Sequence, residues 1–184
     1  MFSKPNTVVY LRRDDIIIGG KKINPGRLSI SQELASNLEI INIEKFMQTC
    51  QNFFETNGLS KKKVLLVLDS SVVFSKSITL EDAKARGIDS LLESFMQKMP
   101  IQKGNRALIG YQIDDTLKIY GTNSQLYDSV VDSLQDVGIK KIVAITPSDA
   151  YSLDFNAKSE VIINGLLTDK TIRKKINFST ITPN

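Results

Sequence analysis

Histidine and tryptophan are absent from this sequence, and cysteine occurs once, at Cys50. Without histidine there is no imidazole to act as a general base, to ligate a metal or to relay a proton between a serine and an aspartate. A single cysteine excludes an internal disulfide and a multi-cysteine zinc site. No stretch approaches the roughly 20 apolar residues needed to cross a bilayer, and Met1 to Tyr10 lacks the long apolar segment of a secretion signal. These absences lead us to expect a cytoplasmic, non-catalytic chain with no cofactor and no metal.

What is present is the make-up of an ordinary globular protein. A hydrophobic content of 41% with 24% charged residues argues against both a membrane protein and a disordered one. The 184 residues suffice for one domain or two small lobes with a real core. The net charge of +4 comes from 24 basic and 20 acidic residues that are interspersed, so the expected surface is mixed, with only a modest pull on anions.

Val8–Leu11 and Ile16–Ile18 are apolar runs joined by Arg12, Arg13, Asp14 and Asp15, the pattern of a hairpin. Leu28 with Ile30 and Leu38–Ile41 mark two further short strands. From Asn42, a suitable N-cap, apolar residues at spacings of three and four run through Phe46, Cys50 and Phe54 to Gly58, predicting a helix. Cys50 lies in that stripe and reads as a core side chain. Val64–Leu68 is apolar throughout, as expected of a strand covered on both faces.

Val72–Ile78 predicts a strand, and Thr79 followed by Asp82 opens a helix through Met99, with Gly87 inside it. Ala107–Ile113 and Thr116–Tyr120 form a hairpin about Asp114 and Asp115. A helix from about Ser124 to Gly138 and a strand at Ile142–Ile145 follow. The order from Val72 onward is βαββαβ, with two helices on one face of a small antiparallel sheet. A two-residue turn at Asp114–Asp115 would leave Ala107, Ile109, Tyr111, Ile113 and Tyr120 on the other face. Val161–Ile163 is a possible last strand.

Candidate chemistry is sparse. "IIIGGKK" pairs glycines with lysines, but it has neither the spacing of a phosphate loop nor a following helix, and it reads as a turn. The carboxylate pairs Asp14–Asp15, Glu81–Asp82 and Asp114–Asp115 sit at turns or helix starts, where acids satisfy backbone donors. Lys61–Lys63 and Arg173–Lys175 could touch phosphates, and βαββαβ order invites comparison with RNA-recognition domains. The aromatic motif of those domains is missing, leaving Tyr111 and Tyr120 as weak substitutes.

The succession "IEKFMQTCQNFFETNGLSKKKVLLVLDSSVVFSKSITLEDA", then "QKMPIQ" and "GIKKIVAITPSDAY", resembles the amino-terminal half of PilM-type pilus-assembly proteins and their actin-like, FtsA-type relatives. Ser71, Val73, Lys76 and Ile78 match the family's entry into an inserted module. Gly138, Ile139, Pro147 and Ala150 echo its return. The resemblance implies a reduced actin-like (ribonuclease H-like) lobe at residues 1–70. It also implies an inserted βαββαβ ferredoxin-like module at 71–147, and a return segment and tail at 148–184 packing on the first lobe. Actin-like ATPases carry a glycine-containing phosphate loop at the first hairpin, and here Arg12, Arg13, Asp14 and Asp15 stand in its place.

The resemblance therefore implies a docking or scaffold protein of a type IV pilus or type II secretion-like assembly. Such a protein would sit at the inner face of the cytoplasmic membrane and hold a segment of a membrane-anchored partner. Ile109, Tyr111 and Tyr120 are the candidate docking residues. The alternatives are a small basic nucleic-acid-binding domain and a residual ATPase.

Overall fold

The computed structural model describes residues 4–113, 115–150 and 158–168. The apolar runs become a five-stranded mixed sheet. Its strands are β1 (Thr7–Leu11), β2 (Asp15–Gly20), β3 (Gly26–Ser29), β6 (Lys63–Leu68) and β10 (Lys141–Pro147), in the order β10-β6-β1-β2-β3. β1, β2 and β3 form an antiparallel meander, whereas β6 and β10 run parallel to β1. β4 (Ala35–Ser36) and β5 (Glu39–Ile40) make a separate two-stranded ribbon.

Both faces of the central strands are buried, which is why β1 and β6 lack alternation. On one face Val8, Tyr10, Ile17, Leu65 and Val67 pack with Ile162, Ile163 and Leu166 of α5 (Ser159–Thr168). Val161–Ile163 is thus helical, not a strand. Its apolar residues are the covering stripe of a helix, a pattern that three residues alone cannot distinguish from a strand. Residues of opposite parity, including Val9, Leu11, Ile16, Ile18, Leu66 and Leu68, are buried as well.

α1 (Ile43–Thr56) starts as expected, with the Asn42 side chain accepting from the Lys45 N–H at 2.9 Å. Its buried stripe is Phe46, Cys50 and Phe54, and Gly58 follows its end at φ +76°. α4 (Ser124–Asp136) lies beside it, the Gln51 amide donating to Asp136 at 2.7 Å.

The chain divides into two units, one running to Val72 and resuming at Gln125, the other comprising Val73–Ser124. The second unit contains β7 (Phe74–Thr79), α2 (Leu80–Arg86), α3 (Ile88–Lys98), β8 (Arg106–Ile113) and β9 (Thr116–Asn123), with sheet order β7-β9-β8. The inserted module is therefore shorter than βαββαβ order suggested: β10 pairs with β6, so α4 and β10 belong to the first unit. Element order alone does not say which sheet a strand joins. The helix expected from Leu80 to Met99 is broken at Gly87, whose φ of +78° and ψ of 141° separate α2 from α3. The Thr79 cap forms, its hydroxyl accepting from the Asp82 N–H at 3.1 Å. Ile78, Ala83, Leu91, Phe95, Leu117 and Ile119 make the core of this unit.

Candidate functional site

The parallel strands β1 and β6 end together, at the sheet edge where α/β proteins build ligand sites. Here that edge is clamped. The turn joining β1 to β2 closes with the Arg12 N–H donating to the Asp15 carbonyl at 2.9 Å. Asp15, only 1% exposed, accepts two hydrogen bonds from the Arg12 guanidinium, each at 2.5 Å, and lies 2.5 Å from an Arg27 nitrogen on β3. A bidentate arginine pair of this kind fixes geometry as well as charge. The bond to Asp15 holds the Arg12 pKa above its ordinary value despite partial burial.

Beside it, the Tyr10 hydroxyl donates to Asp69, which follows β6. Asp69 in turn accepts from the Ser71 N–H at 2.8 Å, and the Ser71 hydroxyl accepts from the Arg13 N–H at 3.1 Å. Burial pushes the Asp69 carboxyl up, but the hydrogen bonds from Tyr10 and Ser71 and the Arg12 charge outweigh it, and its pKa is lowered. Tyr10 is driven the other way, by burial first and then by its bond to Asp69. Tyr10, Arg12, Asp15, Arg27 and Asp69 are each engaged by a partner within the cluster. The arrangement binds one part of the turn to another, and the turn from Arg12 to Asp15 contains no glycine.

Other candidates are equally spent. Burial pushes the Cys50 thiol up to about 12, so it is inert in the folded protein. Among the described residues no group of three metal-ligating side chains comes together. The glycines of "IIIGGKK" are the last residues of β2, not a turn.

Of the candidate docking residues, Tyr120 is buried and Ile109 half-buried. Pairing runs Ile113 with Leu117, Tyr111 with Ile119 and Gly110 with Tyr120, with an irregularity between Leu108 and Gly110. The loop is one residue longer than expected, and a one-residue slip moves every side chain to the other face. Ile119, opposite Tyr111 in the register, and Leu117 belong to the helix-covered core, while Tyr120 is 1% exposed. Ile109 is half-buried at the irregularity on the outer strand β8. The side chain of Tyr111, Asp114 and the basic run at 173–175 lie outside the described residues. Sequence reasoning missed the Tyr10–Asp69 and Asp15–Arg27 links. The one signal for them was an aspartate opening a fully apolar strand.

An antiparallel three-stranded meander extended by two parallel strands, interrupted by an inserted unit, defines an actin-like fold. No protein-family model matches the sequence, and no curated protein matches it. Solved structures do. The cytoplasmic domain of EpsL, an inner-membrane component of the type II secretion system of Vibrio cholerae, matches with a TM-score of 0.50 at 12% identity. The match covers 81% of this chain and 60% of that one. The PilM–PilN type IV pilus biogenesis complex matches with a TM-score of 0.52 at 9% identity, over 82% of this chain and 49% of that one. The chain thus spans between half and three fifths of the length of these neighbours, and the likeness is one of fold.

Proposed function

We propose that this protein is a non-catalytic docking component of a type IV pilus or type II secretion-like assembly, holding a segment of a membrane-anchored partner at the cytoplasmic face. The observation that carries this reading is the clamped β1–β2 turn. In an actin-like ATPase the corresponding hairpin grips phosphates through glycine backbone. Here Asp15 is buried between two arginines and the turn residues are charged side chains. A fold kept after its phosphate grip is gone is suited to presenting surface to a partner. The two pilus and secretion neighbours support the choice of partner class. No helix among the described residues is long and apolar enough to cross a membrane.

The test has two arms. Full-length chain is used as bait for detergent-solubilised, single-span assembly proteins, with binding quantified by titration of their short cytoplasmic segments. Saturable capture supports docking. Labelled ATP with magnesium is titrated in parallel and should bind no more tightly than millimolar. Micromolar ATP binding, or hydrolysis abolished by Asp15→Ala, overturns the reading in favour of a residual ATPase.

A further inference from the structure

The opposite end of the large sheet is built differently. Thr7, Gly20 and Val64 lie abreast in the register of β1, β2 and β6, so the residues flanking them collect at one edge. These include Lys4, Lys21, Lys22 and the run Lys61–Lys63, with Lys141 opening β10 beside Lys63. Among the described residues, Glu55 stands in the last turn of α1, and Asp136 at the end of α4 is bonded to Gln51. A cavity of about 480 Å³ opens at this edge. Pro5, Ile163 and Leu167 supply apolar wall, Asn164 and Thr168 polar wall, and Lys4 and Lys21 the charge, with no acid and no aromatic ring among the described residues of the lining.

The cavity is held open by backbone. Asn6 ties the edge together: its N–H donates to the Lys63 carbonyl at 3.0 Å, its side-chain oxygen accepts from the Lys63 N–H at 3.0 Å, and its carbonyl accepts from the Lys21 N–H at 2.8 Å. Gly19 and Gly20 are required at this point. A β-carbon on Gly19 would strike the Ile163 side chain, and one on Gly20, at φ +149°, would strike the Asn6 carbonyl and come 2.7 Å from the Thr7 α-carbon. The glycine pair of "IIIGGKK" therefore serves close approach of strand, helix and Asn6.

From this juxtaposition we infer that the cavity binds an acidic peptide segment, its carboxylates on Lys4 and Lys21 and one leucine-sized side chain against Ile163 and Leu167. The volume falls within the roughly 300–1,000 Å³ of ligand sites, and the lysines Lys4 and Lys21, facing no acid among the described residues of the lining, make the charge complementary to an acidic partner. Nucleic acid is disfavoured because no ring among the described residues lines the site for base stacking. A bilayer is disfavoured because the exposed apolar side chains Ile41 and Val161 stand at the start of α1 and α5, whereas this site is formed at the C-terminal end of α5. The site does not depend on the docking reading above.

The test uses the full chain and a fluorescein-labelled peptide alternating glutamate with leucine. Anisotropy should show saturable binding, weakened at least tenfold by Lys4→Glu with Lys21→Glu. Asn164→Trp should weaken it similarly by filling the cavity at an exposed helix position without changing charge. Lys61→Glu, on the same edge but outside the lining, should change affinity less than twofold, and thermal melts should be unchanged in all three variants. A peptide with glutamine for glutamate, or serine for leucine, should bind at least tenfold more weakly. Equal losses from Lys61→Glu and Lys21→Glu, or binding of single-stranded DNA or of phosphatidylglycerol vesicles in place of the peptide, would overturn the assignment.

Discussion

At the scale of single residues the clamp at the β1–β2 turn sets the expectations. Asp15→Asn removes a charge that both Arg12 and Arg27 address, but those guanidinium groups are 28% and 62% exposed and can rehydrate. The loss should therefore be about 1–3 kcal/mol, the range for charge-assisted hydrogen bonds rather than for a stranded ion. Urea unfolding would measure it. Tyr10 and Asp69 give a pH signature. Asp69 titrates below its unfolded value, so its contribution is complete above about pH 4 and is lost as pH falls through the folded value. Tyr10 titrates above its unfolded value, so its contribution is complete below about pH 10 and is lost as pH rises beyond that. Tyr10→Phe removes the bond joining them. The stability gap between wild type and this variant should be widest near pH 7 and narrower at pH 3 and pH 10.5, as read from urea midpoints at the three values.

At the scale of elements, Gly87 decides whether Leu80–Lys98 is one helix or two. Its φ of +78° with ψ of 141° lies where essentially only glycine goes, although nothing stands within 4 Å of where a β-carbon would sit. Gly87→Ala should cost about 1–3 kcal/mol through backbone strain alone, seen as a lower unfolding midpoint with an unchanged urea slope. This position also shows what the sequence could and could not convey. The apolar spacing from Leu80 to Met99 was read correctly as helical, but periodicity carries across a glycine without registering that the backbone has turned there. Pairing partners were hidden for a similar reason. Ile142–Ile145 was legible as a buried strand, yet only contact with β6 assigns it to the large sheet. The hairpin register depended on one loop residue, which sets Ile119 opposite Tyr111 and Tyr120 opposite Gly110. The arginine-rich turn was legible as a departure from a phosphate loop. The links Tyr10–Asp69 and Asp15–Arg27 join positions 59 and 12 residues apart, and no local pattern reports them.

At the scale of the whole chain, the second unit enters and leaves through adjacent strands. Phe74 of β7 pairs with Gly121 of β9 in an antiparallel register, so the two chain crossings lie about one strand spacing, roughly 5 Å, apart. The first unit keeps all five strands of its sheet, along with α1, α4 and α5, when Val73–Ser124 is taken away. Closing so small a gap requires only a few flexible residues, and the closure entropy of such a loop grows slowly with its length. Replacing Val73–Ser124 by a short Gly/Ser linker should therefore leave a first unit that unfolds cooperatively in urea, with a smaller slope in proportion to the surface removed. Loss of cooperativity would mean that the insertion is part of the folding unit and not an addition to it. The same excised chain separates the two binding predictions. The acidic-peptide cavity lies wholly within the first unit and should persist, whereas capture of an anchored partner should be lost if the inserted unit carries it.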